Sequence, residues 1–288
     1  MKILLTGITG QLGQELQPIL AKTAETVAVD RTALDLAQPD TIRSVMAEVK
    51  PDLVVNAAAY TAVDKSESEP ELANAVNGTG VGILAEIARE LGARLIHIST
   101  DYVFDGSQSQ PYQPDSPTNP LGVYGQSKLA GEKAIQEIGG DSIIIRTAWV
   151  YGAGGKGNFV KTMLRLGGDR QELRVVSDQV GSPTWTGDLA EAIASVIQHS
   201  PEPGIYHYTN SGVASWYDFA IAIFEEAAAL RFPLKVQRVV PITTAEYPTP
   251  ARRPSYSVLS HTKLSAALRT YPPHWRQALR QMLESFKF

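Results

Sequence analysis

The chain has 288 residues, 43% hydrophobic and 19% charged, with a formal net charge of −4, a globular composition long enough for about two units, one large and one small. The mild negative charge excludes the basic footprint of a nucleic-acid binder or of a protein that docks on an anionic membrane. The lack of cysteine excludes disulfides and thiolate chemistry, and the five histidines show no paired ligand-like spacing, so no structural metal is expected.

The N-terminus carries Lys2 and the short apolar run Ile3-Leu4-Leu5 before Thr6. That run is too short for a signal peptide, and no stretch approaches the roughly 18 apolar residues of a membrane span, so a cytoplasmic protein is expected. From there, short β-rich runs alternate with longer amphipathic segments, the pattern of parallel α/β winding. Strands are predicted at Ile3–Leu5, Val27–Val29, Leu53–Val55, Leu95–Ile98 and Ile143–Ile145, and helices at Gln14–Lys22, Thr41–Val49, Leu72–Leu91 and Leu129–Ile138. Pro51-Asp52, Gly92 and Gly139-Gly140 mark breaks between them.

After Arg146 the pattern loosens. Gly152 to Gly157 is glycine-rich and reads as a flexible loop, Pro201 to Gly204 is a turn cluster, and Pro241 to Pro254 carries four prolines, whereas Gly187–Gln198 reads as a helix that returns to the first domain. The predicted architecture is α/β, a doubly wound, Rossmann-like parallel sheet over residues 1–150 with 184–200 added. A smaller C-terminal substrate-binding lobe is expected from 151–183 and 201–288.

Gly7-Ile8-Thr9-Gly10-Gln11-Leu12-Gly13 follows the first strand and opens the first helix. Missing β-carbons there permit a tight turn, close approach to a pyrophosphate and close packing of helix on strand, while the helix N-terminus offers N–H groups and a positive dipole end. This predicts a bound nicotinamide dinucleotide. Asp30 ends the second strand, where its carboxylate suits the adenosine ribose hydroxyls; Arg31 follows, where a guanidinium suits the 2′-phosphate of NADP. NADH and NADPH both stay open. Gly152 to Gly157 contains Gly-Lys, but Gly157 stands where a Walker loop needs Ser or Thr.

Tyr124 and Lys128 lie four residues apart, one turn on a shared helix face, so the ammonium is expected to lower the phenol from about 10 toward neutrality. A phenol so tuned donates a proton to a carbonyl oxygen. Ser99-Thr100 sits just past the fourth strand, at the sheet edge where ligands bind in open α/β folds, and Thr100 supplies a hydroxyl for the same carbonyl.

Together, the glycine turn, Asn56 to Asp64, Ser99 to Gly106, Tyr124 to Lys128 and Arg146 to Tyr151 resemble the extended short-chain dehydrogenase/reductases. The likeness continues through Asn158 to Met163, Asp178 to Thr184 and Tyr247 to Pro254, over essentially the whole chain. Within that family it points to the branch that reduces the C4 ketone of a dTDP-linked 4-keto-6-deoxy-L-hexose to dTDP-L-rhamnose with NADPH or NADH. The resemblance implies Tyr124 as proton donor, Lys128 as its tuner and holder of the nicotinamide ribose, and Thr100 on the reacting oxygen, with Asp101 and Trp149 against the sugar. Gln11, Leu12, Asp30, Asp35, Leu36, Ala59, Tyr60 and Thr61 would line the cofactor. The expected partner is a nucleotide sugar, and a homodimer stays open. Two alternatives stand beside this reading: a sugar-nucleotide epimerase on the same scaffold, and a non-catalytic regulatory subunit that binds dinucleotide. Dehydration is disfavoured, because Tyr102 follows Asp101 where such enzymes carry a second acid.

Overall fold

A computed structural model describes residues 1–286 of the chain. Six parallel strands form the central sheet in the spatial order Gly204–His207, Ser142–Thr147, Arg94–Thr100, Leu53–Asn56, Lys2–Thr6, Glu25–Val29. The five predicted strands are all present. Because side chains alternate across a strand, each apolar run feeds both faces of the sheet. Ile3, Leu5, Leu53, Val55, Ile96, Ile143 and Ile145 point to one face, where Leu12, Leu16 and Leu20 of helix Gln11–Leu20 and Leu189, Ile193 and Val196 of helix Thr186–His199 cover them. Leu4, Val54, Leu95 and Ile144 point to the other, beneath helices Pro39–Val49, Gly80–Glu90 and Val123–Ile138. Both faces are covered by helices, so the sheet is doubly wound.

Three expectations are corrected. The lobe boundary at residue 201 does not hold: the Pro201 to Gly204 cluster is a short return, after which Gly204–His207 pairs with Ser142–Thr147 at the sheet edge. Leu264 and Leu268 of helix Thr262–Leu268 also join the sheet's core. The single helix expected over Leu72–Leu91 is broken into Pro70–Asn74, a π-helical turn Ala75–Thr79 and Gly80–Glu90. Close packing accompanies the break, since a β-carbon on Gly80 would stand 2.0 Å from the Leu36 carbonyl oxygen. The helix predicted from Leu129 begins at Val123, so Tyr124 lies in its first turn.

A second core lies beside the sheet. Val160 and Met163, Phe219 and Ile223, and Trp275, Leu279 and Met282, on helices Phe159–Asp169, Trp216–Ala229 and Trp275–Glu284, close on Leu173 and Val175. Those two belong to Glu172–Val176, which pairs in parallel with Arg238–Ile242. A capping box between Ser215 and Asp218 starts helix Trp216–Ala229. No helix among the described residues is long and apolar enough to cross a membrane.

Candidate active site

All six strands run the same way, so the turns that follow them gather along one edge. The chain leaves the first strand toward the second on one side, and the third strand lies on the other; that divergence opens the crevice where α/β sheets take ligands. Gly7 occupies it with φ of 76°, a left-handed conformation open to glycine. A β-carbon on Gly7 would come within 2.7 Å of the Ala58 nitrogen, and one on Gly13 within 2.2 Å of the Gly7 carbonyl oxygen. The turn is therefore shut to side chains. Gly10 caps helix Gln11–Leu20 with no side-chain hydrogen bond, leaving its first-turn N–H groups without a side-chain acceptor. A cradle without β-carbons beneath an uncapped helix N-terminus fits a dinucleotide diphosphate.

The other expected cofactor residues divide into side chains that face the edge and side chains that do not. Leu12 and Leu36 are buried in the two cores, so what they offer a ligand is backbone. The Asp30 carboxylate accepts from the Thr32 backbone N–H and hydroxyl at 2.9 and 2.6 Å, bonds that hold it below the usual carboxylate range. Arg31 is exposed and donates to Asp35 at 3.0 Å. After the third strand, Asn77 from the π-helical turn clamps the Tyr60 backbone: its Oδ1 accepts from the Tyr60 N–H at 2.9 Å and its Nδ2 donates to the Tyr60 carbonyl at 3.0 Å. The same Nδ2 reaches the Ser127 hydroxyl, while the Tyr60 hydroxyl donates to Glu69 at 2.7 Å. Ala59 and Thr61 flank Tyr60 in this turn.

The loop expected to be flexible, Gly152 to Gly157, is fastened across the glycine turn. Asn158 Nδ2 donates to Gln11 Oε1 at 2.6 Å, the Gly155 N–H donates to Gln14 at 3.3 Å, and the Lys161 ammonium bonds the Gly154 and Gly155 carbonyls. A β-carbon on Gly155 would meet Gln11 at 2.6 Å. Glycine serves close approach here, not looseness.

Thr100 ends the fourth strand. Its hydroxyl donates to Asp101 Oδ1 at 3.0 Å and accepts from the Tyr102 N–H at 3.2 Å. Asp101 is 2% exposed, and its Oδ2 is sealed without a hydrogen-bond partner. Burial pushes this carboxyl up to about 6, against the pull of the Ser257 and Thr100 hydroxyls. Tyr124 stands beside it, packed edge-on to Tyr102 at 5.4 Å. Glu67 fixes the start of the Tyr124 helix by accepting from the Val123 N–H at 2.9 Å. A β-carbon on Gly125 would lie 2.2 Å from the Tyr102 carbonyl oxygen, so the helix sits hard against the turn after Thr100.

The tuning expected of Lys128 takes a different form. Burial pushes the Tyr124 phenol up to about 12, with the Thr100 hydroxyl pulling down and the Asp101 carboxylate pushing up. The Lys128 amine turns instead to the fourth strand, 2.7 Å from the Ile98 carbonyl oxygen and 3.2 Å from His97 Nε2. His97 was not among the predicted site residues, nor were Asn56, Asn77 and Ser257. A histidine inside the apolar run Leu95–Ile98 was the available signal. Trp149 adopts φ of 49°, a left-handed conformation costly for a bulky residue. It stacks on Trp216 with ring centroids 3.6 Å apart and planes 5° from parallel, joining the sheet edge to the second core. Arg253 donates to Asp64 at 2.8 Å.

The chain's sequence matches the RmlD substrate binding domain family over residues 1–288. It is 46% identical over 289 residues to the dTDP-4-dehydrorhamnose reductase of Burkholderia thailandensis, covering 97% of each chain. It is 47% identical over 285 residues to the spore coat polysaccharide biosynthesis protein SpsK of Bacillus subtilis, covering 98% of this chain and 97% of that one. The crystal structure of dTDP-4-dehydrorhamnose reductase from Bacillus anthracis in complex with NADP superposes with a TM-score of 0.93 at 38% identity, covering 99% of both chains. With full-length matches in sequence and in fold, the chain belongs to the RmlD substrate binding domain family.

Proposed function

We propose that this chain is an NAD(P)H-dependent oxidoreductase that reduces the C4 ketone of a dTDP-4-keto-6-deoxy-L-hexose to dTDP-L-rhamnose. The observation that carries the reading is the Thr100 hydroxyl against the Tyr124 phenol, with Lys128 one turn along the same helix, at the sheet edge that also holds the glycine turn, in a chain related over its whole length to enzymes of that name. Gly7, Gly10 and Gly13 would hold the diphosphate of NADPH or NADH, with Gln11 beside it and Asp30, Arg31 and Asp35 at the adenosine end. When bound, a reduced nicotinamide supplies hydride to the ketone carbon.

The remaining chemistry belongs to this chain's side chains. A phenol pushed up to about 12 is protonated at neutral pH, so Tyr124 reaches the ketone oxygen as an acid and gives up its proton as negative charge develops there. Thr100 would orient that oxygen with its hydroxyl. Its hydroxyl proton is directed to Asp101 in the protein alone, and a substrate carbonyl competes for it. Asp101 and the Trp149 ring would face the sugar. The second core, with the segments around 151–183, 211–260 and 272–286, would form the lobe that closes on the nucleotide sugar. Self-association into a homodimer and a cytoplasmic site of action belong to the same reading; light scattering that returns a monomer mass removes the first.

The test is direct. Purified protein with fresh dTDP-4-keto-6-deoxy-L-hexose and either NADPH or NADH is expected to consume one reduced nicotinamide per sugar, followed at the nicotinamide absorbance band. No oxidation with either cofactor overturns the reading.

A further inference from the structure

Behind Lys128 runs a line of buried polar groups whose direction can be worked out atom by atom. Asn56 Oδ1 accepts from the Thr6 hydroxyl at 2.7 Å and from the Ala58 backbone N–H at 3.2 Å. Asn56 Nδ2 lies 3.0 Å from His97 Nδ1, and His97 Nε2 lies 3.2 Å from the Lys128 amine. Thr6, Asn56, His97 and Lys128 are all buried to 1% exposure or less, so water does not settle their hydrogen bonds.

A backbone N–H can only donate, which fixes the Asn56 oxygen toward Ala58. Turning the amide over would set its NH2 against that N–H, donor on donor. Asn56 therefore donates to His97 Nδ1, and that nitrogen carries no proton. An imidazolium is excluded for the same reason, since its Nδ1 proton would oppose the Asn56 NH2. His97 is left neutral with its one proton on Nε2, aimed at Lys128. An ammonium there would meet a second donor; a neutral amine satisfies the site, accepting from His97 and donating to the Ile98 carbonyl oxygen at 2.7 Å.

We infer that His97 is a positioning residue that acts through Lys128: its Nε2 proton, held in place by Asn56, retains the neutral amine against the fourth strand, and protonation of Lys128 releases it toward Tyr124 and the cofactor side. The relevance to reduction rests on the function proposed above, but the hydrogen-bond polarity does not. The charged and titratable groups around the amine agree. Burial pushes Lys128 down to about 8, with Glu132, one turn along the same helix, pulling it up. Glu132 is itself occupied by Arg146 from the fifth strand at 2.6 Å. Tyr124 lies one turn back and is protonated across this range. His97 is held well below its usual range first by burial, and a positive charge on Lys128, whenever it is protonated, adds to that.

The test needs neither substrate nor cofactor. Long-range proton–nitrogen NMR of the intact protein with labelled histidine is expected to show one ring, assigned by its loss in His97→Gln, with Nε2 protonated and Nδ1 bare. That ring should stay neutral from about pH 6 to 9, while its Nε2 shift steps with a midpoint near the Lys128 value of about 8. Lys128→Met should remove the step. An Nδ1-protonated ring, an imidazolium in this range, or an Nε2 shift without a step each overturn the inference. In the working enzyme, His97→Gln offers a carbonyl acceptor to the ammonium, so the Lys128-linked limb of the pH profile should move up by about one unit or more. An unmoved limb in a folded His97→Gln variant also overturns it, and the wild-type spectrum decides if that variant fails to fold.

Discussion

Arg146 and Glu132 form a bidentate ion pair inside the protein, with both Arg146 Nε and Nη2 donating to the carboxylate at distances from 2.6 to 3.1 Å. Their side chains are 3% and 0% exposed. Arg146 also donates to the Pro114 carbonyl at 3.2 Å and lies over the Phe104 ring. The pair ties the helix that carries Tyr124 and Lys128 to the fifth strand. Removing one member leaves the other charge buried and unmatched, which costs about 3–5 kcal/mol. Arg146→Met is accordingly expected to lower the denaturant midpoint sharply, and Arg146→Met with Glu132→Leu to recover most of the loss. Equal destabilisation in the single and double variants would show that packing, not charge, governs this site.

Asp101 makes stability depend on pH. Its folded-state value of about 6 lies above the ordinary carboxylate value of 3.8, so the folded protein holds this proton more tightly than the unfolded chain does. The destabilising contribution is absent below about pH 4, grows as pH rises through 6, and then levels off. A shift of this size corresponds to about 3 kcal/mol at neutral pH. Asp101→Asn should raise the melting temperature relative to the parent at pH 7.5 and leave it nearly unchanged at pH 4. A gain of the same size at both pH values would assign the effect to something other than ionisation.

Gly13→Ala tests the cradle. The added methyl would stand 2.2 Å from the Gly7 carbonyl oxygen and 2.7 Å from the Ile8 α-carbon, both backbone, so the turn itself must open. Overpacking of this kind costs about 1–3 kcal/mol, and NADPH affinity should fall by about tenfold or more, read by titration of protein fluorescence. Unchanged affinity would mean that the diphosphate is held elsewhere.

Tyr124→Phe removes a transferable proton and little else, because the ring keeps its edge-on contact with Tyr102. Turnover should drop by about 10²–10⁴-fold, with NADPH affinity within about twofold of the parent. Retained turnover would place the acid on another group, and Asp101 would be the next to substitute.

The periodic apolar runs of this chain were enough to predict the five strands, because a strand buried on both faces must be apolar along its length. They also placed the glycine turn and Thr100 at the carboxyl edge. The sixth strand escaped because Gly204–His207 is short and lies behind a proline turn. The helix Leu72–Leu91 read as continuous because amphipathic spacing does not register a π turn, which serves Asn77 and the loop it clamps.

For the site, spacing alone put Tyr124 and Lys128 on one helix face, and a four-residue interval suggested that the two side chains address each other. Tertiary structure decided otherwise. His97 and the Ile98 carbonyl come from a strand some thirty residues earlier in the chain and take the amine, while burial sets the phenol. Local sequence determines which groups share a face, since backbone periodicity is local. Which group a buried amine bonds, and which proton it keeps, depends on partners that only the packing of distant segments brings within reach and out of water.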